Sequence, residues 1–143
     1  MTATRAHGKN AVFKVDDSGG TLRDISGDVN DVTGLPGARQ LSETTAFGDG
    51  GQKNIPGLVV VQFTVTGMYN TTASTGSITV LKGLRTTSVT SSFEYGPEGG
   101  TSGLLKWLGE AWMQDFVVAA QVGDKIPFTA TFQVDGLVTE STF

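Results

Sequence analysis

Carboxylates are the first candidates for chemistry in this chain of 143 residues. Asp16 and Asp17 adjoin, and the phrase "DISGDVND" brings Asp24, Asp28 and Asp31 close together. Acid–base catalysis needs two carboxyl groups on facing elements with pKa values pushed apart, and a calcium loop needs oxygen ligands at regular spacing. Neither pattern is met, so these acids read as turns and strand ends. Glu94, Glu98 and Glu110 lie in or near strand and glycine-rich segments without a glycosidase-like signature. Nucleophilic catalysis has little to draw on: the one histidine, His7, stands in a polar N-terminal stretch, and no GxSxG occurs. "GDGG", Gly48 to Gly51, lacks the strand, helix and lysine of a phosphate loop and reads as a turn. The absence of cysteine excludes thiolate metal sites, disulfides and cysteine nucleophiles. Trp107, Trp112 and Tyr95 form a candidate sugar-stacking platform, weighed against the commoner use of strand aromatics in cores and interfaces. The chain therefore reads as a non-enzyme, with no cofactor and no metal implied.

The elements that must position these residues have a dominant period of two. In "KIPFTATFQVDG", Ile126, Phe128, Ala130, Phe132 and Val134 alternate with Thr129, Thr131, Gln133 and Asp135, the mark of a half-buried strand. In "LVVVQFTVTGMYN", Val59, Val61, Phe63, Val65 and Tyr69 oppose Val60, Gln62, Thr64, Thr66 and Met68, which predicts one strand of roughly 40 Å. Shorter strands are expected at Ala11–Val15, Leu22–Ile25, Val29–Val32 and Val89–Tyr95. Leu104–Val122 is long enough for one bent strand or two, with Gly109 as a candidate bulge. "DDSGG" and "GDK" supply turns. The period breaks in "STGSITVLKGLRTT", where Ile78, Leu81 and Leu84 are spaced by three behind Ser74, Thr75 and Ser77 as N-cap candidates; a short helix is expected at about 75–86. The expected fold is mainly β, an antiparallel sandwich or barrel with one short flanking helix and a long hairpin loop at about 34–57. Residues 1–143 are expected to form a single domain, with residues 1–10 expected as a flexible N-terminal arm.

Composition narrows the partners. Charged residues are 17% of the chain, below the roughly 25% usual for soluble domains, and the net charge is −4. A globule of this mass would expose roughly 7,000 Å², and one with so few charges and 20 glycines can owe part of its surface to other subunits. The acidic balance argues against tight binding to nucleic-acid phosphates, which requires clustered Lys and Arg. No apolar run reaches the roughly 18 residues of a membrane span, and no signal-like apolar segment follows the first basic residues, so neither export by that route nor a membrane partner is expected. Val59 to Val61 carries no charge or proline to blunt an exposed edge. Either another subunit satisfies it, or it is a central strand covered within the monomer.

The order of phrases is informative. "TLRDISGDVNDVTGLP" leads into "ETTAFGDGGQKNIPGL", then "VVVQFTVTGMYN", a short helix, and late strands ending in "KIPFTATFQVDGLVTESTF". This resembles the major tail tube proteins of long-tailed, siphophage-type bacteriophages over Ala11 to Phe143, most strongly at Asp24–Val32, Glu43–Asp49 and Ile55–Leu58. The resemblance implies a structural virion protein, made in the bacterial cytoplasm and located in the tail. Its subunits form hexameric rings that stack into a tube around a tape-measure protein, capped by tail-tip and terminator proteins, and DNA passes through without specific binding. Alternatives are another virion β-domain, a tail terminator or decoration protein, and a carbohydrate- or receptor-binding β-sandwich resting on the two tryptophans.

Two residue sets follow. A loop beyond roughly 12–15 residues without secondary structure is uncommon in a compact domain and is usually functional. If the tube reading holds, the segment from about 34 to 57 is a hairpin arm to a neighbouring subunit or ring, with Leu41, Phe47 and Ile55 as apolar contacts and Glu43, Asp49 and Lys53 as polar ones. The polar strand faces, Gln62, Thr64 and Thr66 with Thr129, Thr131 and Gln133, line either a lumen or the outer solvent face.

Overall fold

The computed structural model describes residues 5–143. Ten strands, β1 (Val12–Asp16), β2 (Leu22–Asp24), β3 (Val29–Thr33), β4 (Ala38–Glu43), β5 (Asn54–Val60), β6 (Gln62–Met68), β7 (Ser91–Gly96), β8 (Leu105–Val118), β9 (Pro127–Val134) and β10 (Thr139–Thr142), are joined by one helix, α1 (Ser77–Leu81). Every pairing is antiparallel. The main sheet runs β2-β1-β7-β8-β9-β6-β3, with β10 added to β8, while β4 and β5 form a separate two-stranded ribbon. Of the expected N-terminal arm, residues 1–4 lie outside the described residues and Gly8–Asn10 form a single 3-10 turn.

The alternating pattern builds a sandwich-like core. Phe13, Phe63, Phe93, Phe128 and Phe132 are each at most 1% exposed. Phe63 stacks on its cross-strand neighbour Phe132 at 5.0 Å, and also meets Phe93 at 4.7 Å and Phe13 at 6.0 Å. Strands β6 and β7 are separated by β8 and β9 within the sheet. Their phenylalanines touch because the sheet folds over and packs against itself, the long β8 being shared between the two halves: its first half pairs β7 and β10, and its second half pairs β9. Val80, Leu81 and Leu84 from α1 and the 3-10 turn after it complete the same core.

Three expectations change in detail. The helix starts at Ser77 and passes into a 3-10 turn over Lys82–Thr86, so the span at 75–86 is nearly met, yet none of Ser74, Thr75 and Ser77 is its N-cap. Gly76 occupies that position without a side-chain bond, and Ser77, the first helical residue, donates its N–H to Oδ2 of Asp28 at 3.2 Å. Asp28 also accepts from the Asn70 amide at 2.9 and 3.1 Å. A carboxylate remote in sequence thus does the work of a local cap. The bulge in β8 falls at Gln114, where the register shifts between Met113 and Asp115, and not at Gly109, which pairs regularly with Phe93. Strand β7 begins at Ser91, leaving Val89 outside it and 68% exposed.

The largest change concerns "LVVVQFTVTGMYN". It is two strands in two sheets, β5 and β6, divided at Val61. The cause lies in the β3–β4 connection, where Gly34 (φ +105) and Gly37 (φ +106) adopt a conformation that L side chains rarely enter. A Cβ on Gly34 would strike the carbonyl of Gln62, and one on Gly37 would strike both methyls of Val61. The connection therefore crosses against the chain at Gln62 and Val61, where pairing passes from β4 with β5 to β3 with β6. Val61 is buried, whereas Val59, expected on the same face, is 39% exposed, and Tyr69 at the far end is 42% exposed.

Candidate functional site: an exposed arm and a polar sheet face

The segment expected as a loop at 34–57 has its own ladder. Strands β4 and β5 pair from Ala38↔Val60 to Glu43↔Asn54, with a bulge in β5 where Gly57 and Leu58 together oppose Gln40, so the arm is a β-ribbon with an irregular tip. Every residue of both strands is exposed. Isolated two-stranded hairpins are marginal in water, so this one presents apolar surface without a core beneath it. Leu41, Ile55 and Phe47 are 58%, 54% and 108% exposed. Leu58, Val59 and Val60, expected in one long strand with Val61 to Tyr69, belong to the same exposed set. The accessible surface of 8878 Å² exceeds the roughly 7,000 Å² of a compact monomer of this mass, as a projecting arm requires.

The tip is held by polar contacts. Asp49 accepts the Ala46 N–H at 2.7 Å and pairs with Lys53 Nζ at 2.9 Å. The Ala46 N–H, and after it Lys53, holds the Asp49 carboxyl below its ordinary range. Thr45 Oγ1 accepts from the Lys53 N–H at 2.9 Å, and the Thr44 N–H donates to the Lys53 carbonyl at 2.8 Å. Asp49 and Lys53 thus bond to each other, while Leu41, Glu43, Phe47 and Ile55 face solvent.

The second residue set converges. Gln62, Thr64 and Thr66 of β6 stand directly opposite Gln133, Thr131 and Thr129 of β9, and paired residues share a face. The rungs continue outward, from Thr64 to Thr33 and Thr66 to Asp31 on β3, and from Thr131 to Asp115, Thr129 to Val117 and Gln133 to Trp112 on β8. Gln62 donates to the side chain of Gln114, the bulge residue, across the intervening β9. The face thus spans four strands, is mostly hydroxyl and amide, and carries Asp31 and Asp115 as the only charges in these rungs. Sequence reasoning missed both acids. Asp31 could have been placed by parity with Val32, but the bulge at Gln114 hid the facing of Asp115.

The tryptophan platform is not formed. Trp107 and Trp112 are separated by five positions of regularly paired strand and so face opposite ways. Trp107 packs on Tyr95 at 6.0 Å and donates its indole N–H to Glu140 at 3.2 Å, while Trp112 joins the polar face. A cleft of about 730 Å³ beside Tyr95 runs between the N-terminal turn, β1 and β3. Burial, and after it the Asp31 carboxylate, raises the Tyr95 phenol above its ordinary pKa. His7 lies at this cleft, where its Nδ1 accepts the Lys9 N–H at 3.1 Å, and Asp17 closes the β1–β2 turn by accepting from Gly19 and Thr21. Asp24 accepts the Ser26 N–H, so Asp17, Asp24 and Asp28 are turn and cap residues, while Asp16 and Asp31 sit within strands.

No protein-family model and no curated protein matches the sequence. Solved structures do match. A chain from the sheath/tube terminator of an extracellular contractile injection system is 16% identical, with TM-score 0.72 over 99% of this chain and 100% of that one. A chain from the SPP1 tail tube is 13% identical, with TM-score 0.69 over 97% and 80%. This is the tail-tube fold. A chain from the tail of an empty gene transfer agent particle, refined with C6 symmetry, shares it at 10% identity, with TM-score 0.72 over 96% of this chain and 100% of that one. The tail-tube fold accounts for the sandwich, the flanking helix and the ribbon together, since coverage extends to nearly the whole chain.

Proposed function

We propose that this protein is a structural subunit of a phage-type tail, the major tube protein, which self-assembles into hexameric rings that stack into a tube. The observation that carries the reading is the ribbon of β4 and β5, whose strands pair with each other but whose side chains, Leu41, Phe47, Ile55 and Leu58 among them, find no partner surface among the described residues. A neighbouring subunit supplies one. The likeness to chains from tail tubes, one of them with C6 symmetry, supports the ring. The polar face of β3, β6, β9 and β8 lines the lumen in this reading, because its only charges repel phosphate and its hydroxyls and amides form no cationic site, so DNA slides past without being held. A tape-measure protein fills the tube before DNA does, and tail-tip and terminator proteins close its ends. The protein is then a component of the virion tail, assembled in the host cytoplasm.

Electron microscopy of the purified protein at high concentration tests this directly. Long hollow tubes are expected. Replacing Thr45–Lys53 by an Asn-Gly turn should leave a folded domain that forms none; normal assembly of that variant would refute the role of the arm. The likeness to a sheath/tube terminator chain favours one second reading, a terminator. That reading predicts single rings without extension, with copies confined to tube ends in particles.

A further inference from the structure

We propose that the end of the sheet opposite the arm, formed by Val118, Val122, Ile126 and Met68, is the surface that receives the arm of a second copy of this chain. The inference rests on the tube reading and names the receiving site that reading leaves open. Strands β6, β9 and β8 lie side by side and so have two common ends. At one, β5 runs through Val61 into β6, and the arm leaves beside Gln62 and Gln133. At the other, six residues and roughly 20 Å away, Met68 pairs with Pro127, and Val118 with Phe128. The chain from Ala119 to Ile126 closes that end, tied by the Ala119 N–H to the Pro127 carbonyl and the Tyr69 N–H to the Ile126 carbonyl.

That end is apolar and uncovered. Val122 is 103% exposed, Val118 42%, Ile126 37% and Met68 36%. Clustered exposed apolar side chains mark an interaction surface, whereas single ones need no explanation. The occupant follows from the rest of the molecule, since the other projecting apolar group is the arm, at the opposite end of the same strands. A second copy displaced along the strand direction sets its arm on this surface. The two surfaces differ, so the contact is heterologous and leaves a free arm at one end and a free receiving surface at the other, which extends without limit. The charges also match. The receiving loop carries Asp124 beside Lys125, the arm carries Arg39 and Glu43, and none of the four is in an ion pair among the described residues. Each side thus offers one acid and one base.

The chain has no cysteine, so an introduced pair reports cleanly. Under mild oxidation the double variant Phe47→Cys/Val122→Cys should give a ladder of multimers on a non-reducing gel that collapses with reductant. Docking raises the effective thiol concentration from micromolar toward millimolar, so cross-linking should exceed that of Phe47→Cys/Val89→Cys by about tenfold or more. Val89 is also well exposed, at 68%, but lies outside the receiving surface. A second variant, Val122→Asp, should keep the fold by circular dichroism and form rings without tubes. Tubes by microscopy with no Phe47–Val122 ladder, or an equal ladder from the Val89 control, would overturn the docking site and leave the tube reading standing. Neither tubes nor ladder would overturn both. Full-length tubes from Val122→Asp would assign the surface to some other tail protein and refute the proposal.

Discussion

Strands β5 and β6 are neighbours in sequence and differ in almost everything that determines stability. Both are rich in β-branched residues and both sit in antiparallel ladders. In β6, Phe63 and Val65 are at most 1% exposed, both paired to β9, with β3 along the other side of Val65, and both packed into the shared core. In β5 every side chain is exposed, and β4 is the sole pairing partner. The comparison shows that strand propensity and backbone pairing are common to both, and that side-chain burial separates a folding core from a surface prepared for assembly.

Four perturbations sharpen that contrast. Phe63→Ala should cost about 3–5 kcal/mol, the range for truncating a buried aromatic, as measured by urea unfolding. The fold would fail before the arm is tested. Asp28→Ala should cost about 1–3 kcal/mol, because it strips partners from the Ser77 N–H and the Asn70 amide; Asp28→Asn, which keeps one acceptor, should recover part of the loss in the same measurement. Exchanging Thr45–Lys53 for Asn-Gly should move unfolding free energy by no more than about 0.5 kcal/mol, as exposed changes do, while abolishing tubes. A large loss of stability from that exchange would break the comparison, since it would make the arm part of the core.

The smallest effect is expected at Asp49. Its folded-state carboxyl is held below the ordinary value of 3.8, so the order it confers on the tip is fully present above that value and is lost as pH falls through the lower folded one. Hydrogen exchange at Ala46 should stay slow through mildly acidic solution and speed up only below the ordinary carboxylate range. In Asp49→Asn that acid-dependent step should vanish with global stability unchanged.

Much of the core was legible because burial on one face imposes a period of two that local sequence cannot disguise. Phe128, Ala130 and Phe132 are all fully buried, and Thr129, Thr131 and Gln133 lie on the other face as their parity requires. The opposed facing of Trp107 and Trp112 was equally available from an odd separation, and the platform reading overlooked it. The division at Val61 was not legible, because alternation runs through it unbroken. What splits the strand is a crossing by Gly34 and Gly37, remote in sequence and set by which strands pair. The same holds for Asp28, whose partners Asn70 and Ser77 are brought to it only by the fold. The arm was visible as an unusual length of polar and glycine-rich chain, but its ladder was hidden by Pro56, Gly57 and the bulge opposite Gln40, which lower the strand signal of β5.

The junction at Val61 carries a mechanical consequence. Its side chain is buried, its carbonyl accepts both the Val134 N–H at 2.9 Å and the Gln133 side chain at 3.1 Å, and the strand that follows is paired along both edges. Tension applied to the arm therefore enters β6 along its own axis and loads its ladders to β3 and β9 in shear, all rungs at once, instead of peeling them one at a time. A polymer linked through such arms would be stiff under stretching, and its joints would yield by the arm letting go before any domain unravelled.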